Sequence, residues 1–310
     1  MSFFSVEVVP KDPLWKLALA GVLVEQNGFD GVWVSEHFFN RNSLITLATI
    51  AKHTRKILLG PAVVNPYVVH PVVMAQQAAT LWELSPGRVR YAVGAGDAHS
   101  LQRLGYVRTK PVEKVVEAVE TMRSSFASLD TYKISDVKIF LGAQGERMLE
   151  AAAKIGDGVL VNWSNTEMLK ESMNHLTNPA RPGFVKAAYL ITSVHEDEEK
   201  ALKTVIPYAA YLMVGASEKH LQRADVSLDY RERVAEILGR RSWDELYRLA
   251  RRDWVGFFSF WGNRRQLDDL VTTVIDLGYD EVVFAGPLGP RYVKALKNIA
   301  SVCRSARRRR

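Results

Sequence analysis

The sequence predicts a single (β/α)8 TIM barrel with a helical insertion after its seventh strand. Three observations lead there. Short β-rich runs alternate with amphipathic helical stretches along the whole chain, the pattern of a parallel sheet with crossover helices. Eight such runs are present, the number that closes a barrel. No Pro/Gly/Ser-rich linker interrupts the alternation, which favours one barrel domain over residues 1–303 rather than two open sheets. An open doubly wound sheet is the alternative.

The first strand, Phe3–Val9, sets Phe4, Val6 and Val8 against Ser5, Glu7 and Val9. Period 2 turns the apolar set toward the helices and puts Glu7 inside the barrel near its C-terminal mouth. Asp12-Pro13 then opens a helix as N-cap and first-turn proline, and Asn27-Gly28 closes it. The second strand, Gly31–Ser35, runs into Glu36-His37 and the loop Asn40-Arg41-Asn42, a polar cluster that points to a ligand. The third, Ile57–Val64, ends in a breaker-rich loop through Asn65-Pro66. Pro71 opens a helix to Leu84. The fourth strand, Val89–Gly94, leads into Gly94-Ala95-Gly96-Asp97, where glycines let backbone approach a ligand and Asp97 adds a carboxylate. A helix from Pro111 to about Phe126 precedes the fifth strand, Val137–Gly142. Ala143-Gln144-Gly145 and a helix to Ile155 follow, an arrangement whose free N–H groups suit a phosphate. Strands six, seven and eight are Gly158–Asn162, Phe184–Ser193 and Glu281–Gly286. Residues 195–263 read as helix and are expected over the barrel mouth, because they leave a strand's C-terminal end. Their aromatic run, Trp254, Phe257, Phe258, Phe260 and Trp261, either covers a flat ligand or packs the insertion onto the barrel.

Composition narrows the function classes. A chain that is 47% hydrophobic and 24% charged folds around a large core. Of the net charge of +7, five positives are Arg304 and Arg307–Arg310, so the basic balance belongs to a tail expected to be a frayed, solvated end, and no nucleic-acid partner is expected. Cys303 is the only cysteine, which excludes an intramolecular disulfide and a cysteine-rich zinc site. Glu36 and His37 are adjacent and diverge, so no metal is expected, and His53 and His175 read as surface residues. Residues 57–82 carry no Lys, Arg, Asp or Glu, yet proline, Asn65, His70 and glutamines break the run, so no membrane span is expected. The N-terminus lacks a basic start with an apolar run behind it, and a soluble cytoplasmic protein is expected. There is no Gly-x-Ser-x-Gly elbow, dinucleotide fingerprint or Walker A loop.

Six ordered blocks carry a resemblance: Val6-Glu7-Val8-Val9-Pro10, Gly28 through Asn42, Leu59 through Tyr67, Gly94-Ala95-Gly96-Asp97, Gly142-Ala143-Gln144-Gly145 and Gly286-Pro287-Leu288-Gly289-Pro290. The chain resembles the F420-dependent methylenetetrahydromethanopterin reductases, within the bacterial-luciferase-like barrels. The resemblance implies coenzyme F420 bound across the C-terminal mouth and hydride transfer to a small pterin carrier in one-carbon, methanogenesis-related metabolism of archaeal type. It also implies a homo-oligomer, dimer or tetramer, and a non-prolyl cis peptide behind the deazaflavin ring at Ala62-Val63. Glu7 and Asp97 fall on the family's active-site carboxylates. The cofactor-binding set carried over is Glu36, His37, Ala62, Val63, Asn65, Gly94, Gly96, Gly142, Ala143, Gln144, Gly145 and Asn162.

This chain departs from the family pattern in three places. Glu36 stands where the family has Asp, the segment Phe126–Val137 is shorter, and Ser217–Trp254 matches only loosely and is expected to touch substrate. Glu7 is the candidate general acid, with Asp97 as its ionised partner. The competing readings are an FMN-dependent monooxygenase, another F420 oxidoreductase, and a barrel that binds without turnover.

Overall fold

The computed structural model describes residues 2–128 and 136–309. Runs such as Gly31-Val32-Trp33-Val34 and Gly158-Val159-Leu160-Val161 are buried at every position, as strands covered on both faces must be. The strands are β1 (Phe3–Val8), β2 (Gly31–Val34), β3 (Leu58–Pro61), β4 (Arg90–Val93), β5 (Lys138–Ala143), β6 (Gly158–Val161), β7 (Val185–Val194), β8 (Phe260–Gly262) and β9 (Glu281–Leu288). They pair in parallel in the order β3-β2-β1-β9-β7-β6-β5-β4, and bridges Leu59–Val89 and Val64–Val93 join β3 to β4. Eight parallel strands thus form the barrel. The three-residue β8 is additional and pairs with the C-terminal end of β7. It lies within the stretch expected to be helical.

At the N-terminal end the interior is plugged by a buried ion pair. Arg90 Nη1 lies 2.6 Å from Glu281 Oε2, the Trp33 indole donates to the same carboxylate at 3.2 Å, and the guanidinium stacks 4.1 Å from the Trp33 ring centre. The Ser5 hydroxyl approaches Arg90 from β1. This pairing uses both Glu281 oxygens and leaves only Arg90 Nε of the guanidinium without a partner among the described residues, and it closes the end opposite the mouth.

The crossover helices are α1 (Leu14–Gln26), α2 (Ser43–His53), α3 (Pro71–Leu84), α4 (Ala98–Arg103), α5 (Pro111–Ser128), α6 (Glu146–Ile155) and α7 (Thr166–Asn174). After β7 come α8 (Glu198–Gly215), α9 (Glu218–Arg223), α10 (Leu228–Arg240), α11 (Trp243–Leu249) and α12 (Arg252–Phe258), the helices of the expected insertion. Then α13 (Arg264–Asp276) and α14 (Tyr292–Arg308) close the chain. The α3 start follows expectation, with His70 accepting from Val72 N and Pro71 in the first turn. The α1 start does not: Pro13 takes the N-cap position without a side-chain cap, and Asp12 pairs with Lys16 instead.

The expected frayed tail is instead largely helical. α14 runs to Arg308, Arg307 pairs with Asp30 and donates to the Gly28 carbonyl, and Arg309 makes a bidentate pair with Asp268 at 2.8 Å. Buried Ala306 seats that last turn on the barrel, and acidic partners on neighbouring elements hold the arginines. Most of the Phe126–Val137 loop lies outside the described residues. No helix among the described residues is long and apolar enough to cross a membrane.

Candidate active site at the barrel mouth

Glu7 is the next-to-last residue of β1, and its alternation with Phe4, Val6 and Val8 turns it inward. It is 7% exposed, and its Oε2 accepts from the Gly286 amide of β9 at 2.8 Å. The Tyr189 hydroxyl of β7 also hydrogen-bonds Glu7; burial, the Glu7 charge and that bond together push the phenol well above its ordinary range. Tyr208, on α8, is pushed up to about 12 by burial and by the Glu7 charge. Lys11, in the loop after β1, holds its ammonium 4.8 Å from the Tyr208 ring centre. Burial lowers its pKa, and the Glu7 charge partly offsets that.

The other expected acid lies across the mouth. Asp97 follows β4, three strands from β1 around the barrel, and is exposed. Its carboxylate caps α4 by accepting from Ser100 N at 2.7 Å. The groups grouped around Glu7 are two tyrosines, a lysine and a backbone amide, so the donors to its carboxylate come from β7 and β9.

A second cluster forms around Val63. The Ala62-Val63 peptide is cis, as the resemblance implies, and Val63 is half-buried. A Cβ placed on Gly94 or on Gly142 would lie 2.6 Å from a Val63 methyl. These two glycines therefore make room for Val63, where the sequence suggested direct approach to a ligand. Asn65 ties the adjoining loops together: its Nδ2 donates to the Ala95 carbonyl at 2.8 Å and its Oδ1 accepts from Tyr67 N. Gly96, at φ +65°, lies against that amide.

Beyond β5, Gln144 donates to the Asn162 carbonyl at 2.9 Å and accepts from the Trp163 indole through its own carbonyl. The Ala143 carbonyl accepts from Asn162 N. Gly145 is the N-cap of α6, with open space where its Cβ would stand. Glu36 does not face the mouth as a free carboxylate, because it bonds the amide and hydroxyl of Ser43 in the first turn of α2. His37 is exposed in the following loop. The aromatic run packs the insertion: Trp254 and Phe258 are buried, and Phe257 and Phe258 lie 5.8 and 6.1 Å from Trp163.

Whether this mouth suits a flat polar coenzyme can be tested on its unpaired atoms. Ser35 Oγ, Asn162 Oδ1 and Ser193 Oγ, at the C-terminal ends of β2, β6 and β7, are buried without a hydrogen-bond partner among the described residues. Buried polar atoms left unpaired at a mouth are what a polar ligand would satisfy. Ser35 ends the strand beside β3, which leads to the half-buried Val63, Asn162 follows the strand beside β5, which leads to the open N-terminus of α6, and Ser193 is one strand further on, so the residues fit such a group. Among the described residues, no group of three or more His, Cys, Asp or Glu side chains could hold a metal.

The sequence profile of the luciferase-like monooxygenase family matches residues 13–281. The 5,10-methylenetetrahydromethanopterin reductase of Archaeoglobus fulgidus is 31% identical over 96% of this chain and 97% of its own length. The chain belongs to the luciferase-like family, among its methylenetetrahydromethanopterin reductases. The Methanopyrus kandleri reductase of the same name is 28% identical over 95% of both chains. The solved structure of a coenzyme F420 dependent tetrahydromethanopterin reductase from M. kandleri superposes with a TM-score of 0.84 at 26% identity, covering 96% of this chain and 97% of that one. An F420-dependent secondary alcohol dehydrogenase, solved with an F420-acetone adduct, shares the fold at a TM-score of 0.80 and 19% identity.

Sequence reasoning missed Lys11, Tyr189 and Tyr208. Tyr189 was legible in principle, because its place in β7 alternates with the outward residues. Lys11 and Tyr208 carry no such signal, since only the fold brings a loop and an insertion helix to Glu7.

Proposed function

We propose that this chain is an oxidoreductase that transfers a hydride between reduced coenzyme F420 and methylene-tetrahydromethanopterin, or a related one-carbon pterin, to give the methyl form. The cofactor is of the flavin or deazaflavin class and the substrate a small pterin-type molecule; F420 in particular is supported by the names of the relatives. The observation that carries the chemistry is Glu7, a buried carboxyl at the mouth, held from β7 and β9.

Bound F420 would supply the hydride. The protein's own part is to hold, exclude water and move a proton. Val63, Ser35, Asn162, Ser193 and the N-terminus of α6 with Gly145 would hold the ring and its phosphate. The reduction adds one proton and one hydride across a C–N bond of the methylene bridge, leaving a methyl group and an N–H. Glu7 gives the proton to that nitrogen, and the Gly286 amide and Tyr189 hydroxyl receive the negative charge that remains on its carboxylate. Asp97, exposed at the cap of α4, is assigned to the pterin side of the mouth. A cytoplasmic homo-oligomer belongs to the same reading.

Titrating the purified protein separately with F420 and with FMN, and following the fluorescence of its seven tryptophans, tests the cofactor. Saturable quenching by F420 with weak response to FMN is expected. Tight FMN binding with no response to F420 would replace this reading with that of a monooxygenase.

A further inference from the structure

Glu7 has a third neighbour that the proton transfer just described does not use. Lys11 leaves β1 four residues after the acid and turns back through a bond from its amide to the Val9 carbonyl. Its own carbonyl is clamped by Arg41 from the loop after β2. The ammonium then lies 4.8 Å from the centre of the Tyr208 ring, a cation–π seat that fixes it over one aromatic face. Tyr208 and Glu7 meet over Gly286: a Cβ there would be 3.4 Å from Tyr208 Cε1 and 3.7 Å from Glu7 Oε2. Tyr208 therefore borders both the Lys11 ammonium and the Gly286 backbone on which the Glu7 carboxyl rests. One side of this arrangement is the barrel, and the other is α8.

We propose that Lys11 is a positioning residue for the proton transfer: seated on Tyr208, its ammonium stabilises the negative charge left on Glu7 when the proton departs, so the transfer depends on how α8 is docked. The inference deepens the proposed function and rests on Glu7 being the acid. A cation fixed beforehand beside a charge that develops during reaction lowers the barrier without reorganising. The charged and titratable groups facing Lys11 are Glu7 on β1, Tyr208 on α8 and, on its carbonyl, Arg41; Tyr189 faces Glu7 from β7. Its neighbour Asp12 is engaged with Lys16. Burial lowers the Lys11 pKa and Glu7 holds it up, so coupling must be reciprocal: removing the Glu7 charge lowers the lysine titration further.

The experiment has two readouts. In the protein without coenzyme, carbon NMR of labelled lysine, assigned through Lys11→Met, should show Lys11 titrating below the other lysines, and Glu7→Gln should move its midpoint lower still. In steady-state assays Lys11→Met should lower kcat roughly tenfold with the pterin KM little changed, and Lys11→Arg should recover most of it. Tyr208→Leu, which removes the seat but not the charge, should give a loss between wild type and Lys11→Met. A Lys11 midpoint unmoved by Glu7→Gln, or wild-type kcat in Lys11→Met, overturns the proposal. If the wild-type protein does not reduce the pterin at all, the proposed function falls, while the NMR titration still decides whether Lys11 and Glu7 are coupled.

Discussion

Gly142→Ala tests how the mouth is built. The new Cβ would stand 2.6 Å from Val63 Cγ1, with Val63 Cβ next at 3.7 Å. Carbon atoms in contact prefer about 3.5–4.0 Å, so a methyl must move by about 1 Å in a neighbourhood that is already packed. Overpacking of this kind costs about 1–3 kcal/mol. The geometry makes the remedy specific. Val63→Ala removes Cγ1 and Cγ2 and leaves only the 3.7 Å contact, which is ordinary, so Gly142→Ala should cost almost nothing in a Val63→Ala background. Val63→Ala alone should cost about 1 kcal/mol, since Val63 is half-buried. Gly94→Ala is an internal control. Its Cβ would still meet Val63 Cβ at 3.0 Å after truncation, so rescue there should be incomplete. Urea unfolding followed by circular dichroism gives the four corners of each cycle. Costs for Gly142→Ala and Val63→Ala that simply add would refute the claim that this glycine exists to seat Val63.

Further outcomes follow from the same geometry. Glu7→Gln should keep coenzyme binding and lower kcat by roughly 10²–10⁴, the usual range for a lost general acid, whereas Asp97→Asn should act less strongly; the reverse order in steady-state kinetics would assign the acid to Asp97. Gly145→Asp places a carboxylate in open space before the α6 N-terminus, so fluorescence titration should show coenzyme affinity abolished while circular dichroism is unchanged. Asp157 accepts from Ile139 N and pairs with Arg123 and Arg181; burial pushes its pKa up, but these partners outweigh that and hold it below the usual value. A carboxyl depressed by folding stabilises the protein above its unfolded pKa and loses that contribution as pH falls through the folded one. Asp157→Asn should therefore cost about 2–4 kcal/mol near neutrality, and the gap to wild type should shrink below about pH 4 in chemical denaturation. Deleting Arg307–Arg310 should lower Tm by a few degrees through loss of the Asp30 and Asp268 pairs, with kcat unchanged.

What could be read from the sequence was whatever local period or local chemistry decides. The inward turn of Glu7 follows from alternation alone, and the eight barrel strands follow from apolar runs bounded by glycine and proline. The short β8 was not legible, because Phe260-Trp261-Gly262 has neither strand length nor alternation and pairs only because the end of β7 is there. Asp12 failed as a cap since Pro13 took that position and Lys16 offered an ion pair. The terminal arginines looked solvated because their partners, Asp30 and Asp268, are remote in sequence. Gly94 and Gly142 were legible as points of close approach, but a glycine does not say of what, and only the fold shows that a Cβ at either would meet Val63. Lys11, Tyr189 and Tyr208 reach Glu7 from three separate elements, which only tertiary structure joins.

The most direct test of the central claim is to mix the protein with reduced F420 and methylene-tetrahydromethanopterin without oxygen, following deazaflavin absorbance and the pterin product together. One equivalent of reduced F420 consumed per methyl-pterin formed is the expected result, with reduced FMN unable to replace it. Turnover that requires reduced FMN and consumes oxygen, with no methyl-pterin formed, would contradict the account.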